Sequence, residues 1–203
     1  TRRIGGKPDY DCSRFTESEI CENNRKEYSE LSLALRHTIQ KDRVDLGFLA
    51  ASESDESFSK GRDYFAFRVR SNNPQSKIGF LATKTNSNFF NESADAYSLD
   101  IENTAVKNTQ ISGYLLNSRK NDSTGHGIRF DVKYIPNDKY ENTLGFHYFD
   151  KDLDLNDMGY LQRNVQFKLY TRFEFVRTTI PSQALLRSRE RIFSVFQPIP
   201  PMG

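Results

Sequence analysis

Four aspartates stand close together in the string DKDLDLND, late in the chain. Asp150, Asp152 and Asp154 occupy alternate positions, and carboxylates in such positions can converge on calcium. An EF-hand loop needs glycine at its sixth position and glutamate at its twelfth, where this chain has Leu155 and Leu161. We therefore expect a solvated acidic loop and no metal site, with calcium bound by Asp150, Asp152 and Asp154 as the alternative.

The three histidines, His37, His126 and His147, are the side chains best suited to general acid or base work. The sequence accompanies them with no Ser-His-Asp order and no HExxH, GxSxG or phosphate-binding-loop pattern. We predict that the chain carries no catalytic residue and binds no cofactor. We expect the three histidines to be solvated side chains.

The two cysteines, Cys12 and Cys21, are separated by the polar stretch SRFTESEI. An oxidised pair would close a small loop, which is typical of an oxidising compartment. Two unpaired thiols are the alternative. We expect no cysteine-based metal site, because the chain has no second cysteine pair and no histidine near these two residues. We expect the disulfide.

Composition and charge narrow the class of protein. Hydrophobic residues make up 36% of the 203 residues, against about 45–50% in typical globular domains when glycine is counted. Aromatic residues reach 13%, which argues against disorder. No run approaches the roughly 18–20 apolar residues of a transmembrane helix. The net charge is +2 with both signs interspersed, so we predict no nucleic-acid partner.

Strict alternation of apolar and polar residues runs from about residue 28 to 175 and predicts β-strands. In YFAFRVR, for example, Phe65, Phe67 and Val69 oppose Ala66 and Arg68. Successive strands are too close for crossover helices, which favours an antiparallel up-and-down meander. The nine candidate strands are LSLALR, VDLGFLA, YFAFRVR, KIGFLATK, YSLDIE, QISGYLLN, GIRFDVKY, TLGFHYF and VQFKLYTRFEF.

The links between these strands alternate in length, from a short one at 41–43 to a long one at 117–127. This alternation and the aromatic content are typical of an outer-membrane β-barrel. Charged side chains such as Arg68, Arg129 and Asp131 would then face a watery lumen. In a soluble sandwich the apolar face would instead pack on a second sheet or on helices. That alternative stays open.

Three regions follow from this pattern. Residues 1–27 form an N-terminal loop segment, 28–175 the barrel segment, and 176–203 a tail that we expect to be irregular, helical or disordered. The tail contains four prolines and ends without a closing aromatic strand. Nine strands is also an odd number, whereas single-chain bacterial barrels have even counts. We therefore expect an incomplete barrel, from a fragment or from a truncated or frameshifted gene.

Two segments resemble a known bacterial family, over about residues 1–175. They are TRRIGG at 1–6 and LDLNDMGYLQRN at 153–164, the latter close to a recurring Asn-Asp-Leu-Gly-Tyr/Phe-Leu-x-Arg-Asn string. The family has unknown function and is often labelled membrane-associated hydrolase. Its members place a domain similar to carbohydrate-binding module family nine before a long outer-membrane-type barrel. The matching positions here are Arg2, Arg3, Gly5, Asn156, Asp157, Gly159, Arg163 and Asn164.

The resemblance implies a barrel in the bacterial outer membrane, in contact with the lipid bilayer or lipopolysaccharide. The residues themselves favour a non-enzymatic and partial barrel. Its role would be binding or passage of a polar solute such as a saccharide, and only the companion domain points to saccharide. A soluble all-β binding module and a non-catalytic part of a cell-surface hydrolase are the alternatives. A closed core containing the side chains Leu33, Phe67, Phe80, Phe130 and Phe146 would exclude the membrane location.

Overall fold

The computed structural model describes residues 4, 8, 10, 12–14, 16, 18–87, 92–137, 139–155, 166–177 and 188–196. The N-terminal segment holds a 3₁₀ turn at Cys12–Arg14 and a short helix, α1 (Ser18–Asn23). No helix in these ranges has the length and hydrophobicity needed to cross a membrane. The strands are β1 (Leu31–Lys41), β2 (Val44–Glu53), β3 (Arg62–Ser71), β4 (Ser76–Ser87), β5 (Glu92–Asn103), β6 (Thr109–Lys120), β7 (Ser123–Asn137), β8 (Tyr140–Phe149), β9 (Gln166–Arg177) and β10 (Ser188–Phe196).

Each strand pairs antiparallel with the next, so the ten strands form one sheet in the order β1 to β10. The predicted all-β, up-and-down architecture is confirmed, and the nine candidate strands correspond to β1–β9. Within the described part of the chain, β1 pairs only with β2 and β10 only with β9. The sheet is therefore open, as in a partial barrel.

The C-terminal region differs from the expectation in one stretch. Residues Ser188–Phe196, whose composition indicates a helix, form β10 and pair with β9 between Leu169 and Arg177. Strand pairing overrides a weak helix preference when a neighbouring edge offers a complete hydrogen-bond ladder. The other tail residues, 178–187 and 197–203, lie outside the described ranges.

The link at 117–127, predicted as a long loop, is instead a tight hairpin. β6 and β7 stay paired as far as Lys120 and Ser123, which leaves Asn121 and Asp122 as the turn. Asn121 has φ 53°, in the left-handed region that asparagine tolerates better than most residues. The prediction was wrong because these strand ends are polar on both faces, a composition typical of loops. The predicted alternation of short and long links is broken here.

The sheet has two chemically different faces, which we call the apolar face and the polar face. On the apolar face Leu33, Phe80 and Phe130 are 62%, 37% and 42% exposed. Phe67 and Phe146, on the same face, are half-buried. None of these five side chains lies in a closed core. The polar face carries the charges in the middle of the strands, among them Arg68, Asp100, Arg129 and Asp131.

The small buried core of the described residues lies on the polar face, at the end from which the β2–β3 and β8–β9 links leave. Ala51, Tyr64 and Phe149 alternate with the apolar-face residues of β2, β3 and β8, and all three are buried. Leu153, from the β8–β9 link, is fully buried. The Tyr64 hydroxyl donates a hydrogen bond to Glu53 Oε1 at 3.0 Å, which satisfies that buried carboxylate.

The β2–β3 link is fixed by charges on its own residues and on the N-terminal segment. Lys26 Nζ lies 2.8 Å from Glu56 Oε2, and this hydrogen-bonded contact raises the pKa of Lys26. Lys60 Nζ donates to Asp55 at 2.6 Å, and the Gly61 amide donates to the same carboxylate at 3.0 Å. Both hydrogen bonds lower the pKa of Asp55 because they favour its charged form.

Cys12 and Cys21 form a disulfide, with their Cα atoms 5.6 Å apart. Both are buried, although the surrounding segment is polar. Tyr10 also anchors this segment, because its hydroxyl accepts a hydrogen bond from the Lys26 amide at 3.0 Å. The disulfide therefore ties the 3₁₀ turn to α1.

Replacing both cysteines by serine should destabilise α1 by about 2–3 kcal/mol, because the unfolded segment regains the entropy of the closed loop. Amide hydrogen exchange within Ser18–Asn23 should become about 30- to 150-fold faster. Wild-type protein reduced with dithiothreitol is the control and should exchange at a similar rate. Exchange rates equal to those of the oxidised protein would contradict the prediction.

Candidate functional site

A first charged bridge crosses the polar face from β3 to β5, passing over β4. The Arg68 guanidinium donates to both carboxylate oxygens of Asp100, at 2.9 and 3.1 Å. Gly79 of β4 lies between these strands, directly opposite Asp100 in the register. A Cβ atom at Gly79 would stand 2.6 Å from the carboxylate oxygens. A side chain at Gly79 would therefore push the Asp100 carboxylate out of this position.

A second set of ion pairs lies on the same three strands, one register step toward the β3–β4 turn. Arg70 Nη2 lies 3.0 Å from Glu102 Oε2, and Lys77 Nζ lies 3.6 Å from Glu102 Oε1. These charges are partly exposed, so each pair contributes little by itself. Their shared arrangement fixes the side chains of the polar face in place.

The same design recurs between β7 and β9, across Gly145 of β8. The Tyr170 hydroxyl donates to Asp131 Oδ1, and Arg129 Nε donates to Asp131 Oδ2 at 2.7 Å. Register places Gly145 directly between Asp131 and Tyr170. A Cβ atom at Gly145 would overlap the Tyr170 ring. An aromatic side chain covering a strand glycine is a known means of pinning register.

Aromatic rings extend this second cluster toward the β8–β9 link. The His147 ring stacks on Phe149 with centroids 5.3 Å apart, and it lies 6.5 Å from the Tyr170 ring. Lys168 Nζ lies 5.4 Å from the Tyr170 ring centroid, within cation–π range. The polar face thus combines aromatic surface with fixed charges, which suits contact with a polar, ring-containing solute.

The other two histidines lie apart from this cluster. His126 Nδ1 lies 3.0 Å from Asn117 Nδ2, on the apolar face near the β6–β7 turn. His37 lies in β1 and is exposed. The structure therefore does not bring the three histidines together.

The aspartates of the β8–β9 link hold their own loop. Asp150 accepts hydrogen bonds from the amides of His126 at 2.7 Å and Asp152 at 3.1 Å. The Asp154 amide donates to Ser118 Oγ at 2.9 Å, and Lys120 Nζ lies 3.6 Å from Asp154 Oδ2. In the ranges that the structure describes, no three histidine, cysteine or acidic side chains are grouped to hold a metal ion.

Two glycines of β7 explain how this loop reaches the polar face. A Cβ atom at Gly125 would overlap the backbone of Leu153, and one at Gly127 would stand 2.7 Å from the Phe149 ring. The sequence TGHG lies in the link at 117–127, which was predicted to be a long loop. It is instead the strand surface on which residues 150–155 lie, and only the register reveals that role.

A cavity of about 170 Å³ lies beside this loop on the polar face. Leu81, Thr83 and Thr85 of β4 form one wall, and Asp154 and Leu155 close the side toward the loop. Sequence reasoning missed it because small residues of three strands and one loop create it together. It has no local motif.

The matching positions of the family string, Asn156, Asp157, Gly159, Arg163 and Asn164, lie outside the described residues, as do Arg2, Arg3 and Gly5. Fold and faces define an all-β protein of the open up-and-down type, with one bridged polar face and one exposed apolar face. The chain matches no known family model, no curated protein and no solved structure.

Proposed function

We propose that this chain is a wall segment of a bacterial outer-membrane β-barrel, non-enzymatic, whose polar face binds or passes a polar solute. The observation that carries the proposal is one hydrogen-bonded row of the apolar face. Every position in this row is apolar or aromatic across nine neighbouring strands. In order from β1 to β9 the row contains Ile39, Leu46, Val69, Phe80, Leu99, Leu115, Ile128, Tyr148 and Phe167.

This row supports lipid contact by its extent. Nine strands at about 4.8 Å spacing span about 38 Å. Many of the row's side chains are exposed, including Leu99 at 47% and Leu115 at 50%. Soluble monomers rarely expose apolar patches above a few hundred Å². A bilayer would cover such a surface without further protein.

The edges of the apolar band also favour a membrane. Tyr140 and Tyr148 sit at the two ends of β8 and are 52% and 44% exposed. They are eight residues apart, about 26 Å along the strand, or about 20 Å in height at a tilt near 40°. Beyond the band, Lys84, Asp95 and Arg119 form a charged row on the same face. Aromatic rims flanked by charge are typical of membrane barrels.

The polar face supplies the solute-binding part of the proposal. Its charges are bridged in pairs, as Arg68–Asp100 and Arg129–Asp131 illustrate. Tyr170 and His147 add ring surface beside them. A saccharide suits such a mixture of aromatic planes and hydrogen-bonding groups. The resemblance to a family with a carbohydrate-binding companion domain adds weight to that choice and to the outer membrane as the location.

A tryptophan scan tests this orientation directly, because the chain contains no tryptophan. Phe80→Trp places the probe on the apolar face, and Tyr114→Trp places a matched aromatic probe on the polar face. Each variant is reconstituted into phosphatidylcholine vesicles with and without brominated acyl chains. Bromine should quench the Phe80→Trp emission strongly and leave the Tyr114→Trp emission nearly unchanged.

Two outcomes would overturn the proposal. One is equal quenching of the two probes. The other is a chain that stays monomeric in detergent-free buffer and does not associate with vesicles. The second result would instead favour the soluble all-β binding module. Sedimentation analysis of the same samples distinguishes a soluble monomer from vesicle-bound protein.

A further inference from the structure

The link between β8 and β9 turns back over the polar face directly after β8 ends. Residues 150–155, which we call the strap, first contact β7, where Asp150 accepts a backbone hydrogen bond at 2.7 Å. The strap then crosses to β6, where the Asp154 amide donates to Ser118 Oγ at 2.9 Å. Leu155 lines a hollow whose other walls are formed by β4, β5 and β6. The strap therefore extends from β8 toward β5, about 14 Å at roughly 4.8 Å per strand.

The strap is fixed on the sheet by packing as well as by hydrogen bonds. Leu153, in its middle, is fully buried. Gly125 and Gly127 of β7 leave room for the strap, and a Cβ atom at Gly127 would stand 3.0 Å from a Leu153 methyl group. Connecting loops ordinarily stay solvated on the surface. A buried leucine above two glycines therefore marks the strap as a fixed part of this face.

The polar-face residues of β6 show how far the strap covers the sheet. Ser118, beneath the strap, is 1% exposed. Ser112 and Tyr114, on the same face toward the other end of β6, are half-buried. Tyr114 lies between Asp100 and Arg129 in the register, so it marks the level of the charged bridges. The strap thus covers the end of the polar face at the β6–β7 turn and leaves the bridged middle open.

We propose that the strap restricts access to the polar face from this end and thereby limits the size of the solute. The inference rests on the proposed function, because it takes the polar face as the surface that solutes contact. A segment anchored by a buried side chain opens only rarely. A small molecule passes beside the strap, whereas a polymer needs the strap to move. The solute class is therefore small polar molecules, such as a monosaccharide, rather than polymers.

Cysteine labelling of the full chain in phosphatidylcholine vesicles tests this restriction with reagents of two sizes. Ser112→Cys places a thiol in the open middle, and Ser118→Cys is its matched partner beneath the strap, on the same strand and face. The chain's two native cysteines form a disulfide and do not react. A small charged methanethiosulfonate should label Ser118→Cys at least about 30-fold more slowly than Ser112→Cys, because the strap must open first. A maleimide on a long polyethylene glycol chain should label Ser112→Cys slowly and leave Ser118→Cys unlabelled.

Gly125→Val, added to each cysteine variant, should open the strap. Polymer labelling of Ser112→Cys should then rise about tenfold, while the rate of the small reagent there stays within about twofold. Leu153→Ala should give the same result and serves as the second variant if Gly125→Val fails to fold. Gly47→Val is the control and should change neither rate.

Equal labelling of the two thiols by the small reagent, rapid polymer labelling of Ser112→Cys with the strap intact, or no gain from either strap variant would overturn the inference. Bromine quenching of Phe80→Trp in the same vesicles separates this failure from a failure of the proposed function. A quenched probe with unrestricted polymer labelling excludes the role of the strap alone. An unquenched probe excludes the proposed function and this inference with it.

Discussion

Phe130→Arg should shift the folding equilibrium of the chain in lipid vesicles toward the unfolded state by about 30- to 1000-fold. Phe130 lies in the middle of β7 on the apolar face, between Gly113 and Phe146 in the register. An arginine at the lipid-facing midplane of a barrel costs about 2–4 kcal/mol, because the guanidinium loses its water. Urea titration in vesicles, read by heat-dependent gel mobility, measures the shift.

Thr124→Arg is the control for this substitution. Thr124 lies on the same strand and the same face, six residues away and opposite Arg119, beyond the apolar band. There an arginine reaches water, and the expected cost is about 0–1 kcal/mol. If the two variants fold equally well in vesicles, or if Phe130→Arg folds better in buffer than in lipid, the proposed membrane location is wrong.

The fold could be predicted because apolar and polar residues alternate with a period of two along a strand that has one apolar face. In GIRFDVKY, each apolar residue from Ile128 to Tyr134 alternates with a polar one, and β7 contains the whole segment. Strand order followed from the short links. The strand ends could not be predicted where this alternation of apolar and polar residues ends. The ends of β6 and β7, 117–120 and 123–127, carry polar residues and glycines on both faces, so their sequence resembles a loop.

The two bridges that pass over β4 and β8 could not be predicted, since each joins strands that are not sequence neighbours. Arg68 and Asp100 are 32 residues apart and meet across Gly79 of β4. Asp131 and Tyr170 are 39 residues apart and meet across Gly145. Which glycine lies opposite which side chain depends on register, and a shift of one residue would move every partner to the other face.

The acidic string near residue 150 shows that a candidate metal site, too, cannot be judged from local sequence alone. Spacing alone allowed calcium ligands, because alternate carboxylates occur in such sites. In the structure two of the three carboxylates, Asp150 and Asp154, contact groups on β6 and β7. These contacts come from elements that a local pattern does not include.

Gly125→Val should release residues 150–155 from the polar face. A side chain at Gly125 overlaps the Leu153 backbone, which cannot move aside as a flexible side-chain end could. Displacement would expose Leu153, which is fully buried, and break the hydrogen bond from the Asp154 amide to Ser118. Loss of a buried leucine contact costs about 2–5 kcal/mol. Hydrogen exchange at the Asp154 amide should therefore accelerate about 30-fold or more.

Gly47→Val provides the control, because Gly47 also lies on the polar face of a strand but has room for a Cβ atom. Its nearest neighbour would be Arg68 Cβ at 4.0 Å. Leu153→Ala should reproduce the faster exchange while Gly125 stays intact. Equal exchange at Asp154 in Gly125→Val and Gly47→Val would contradict the role assigned to this glycine.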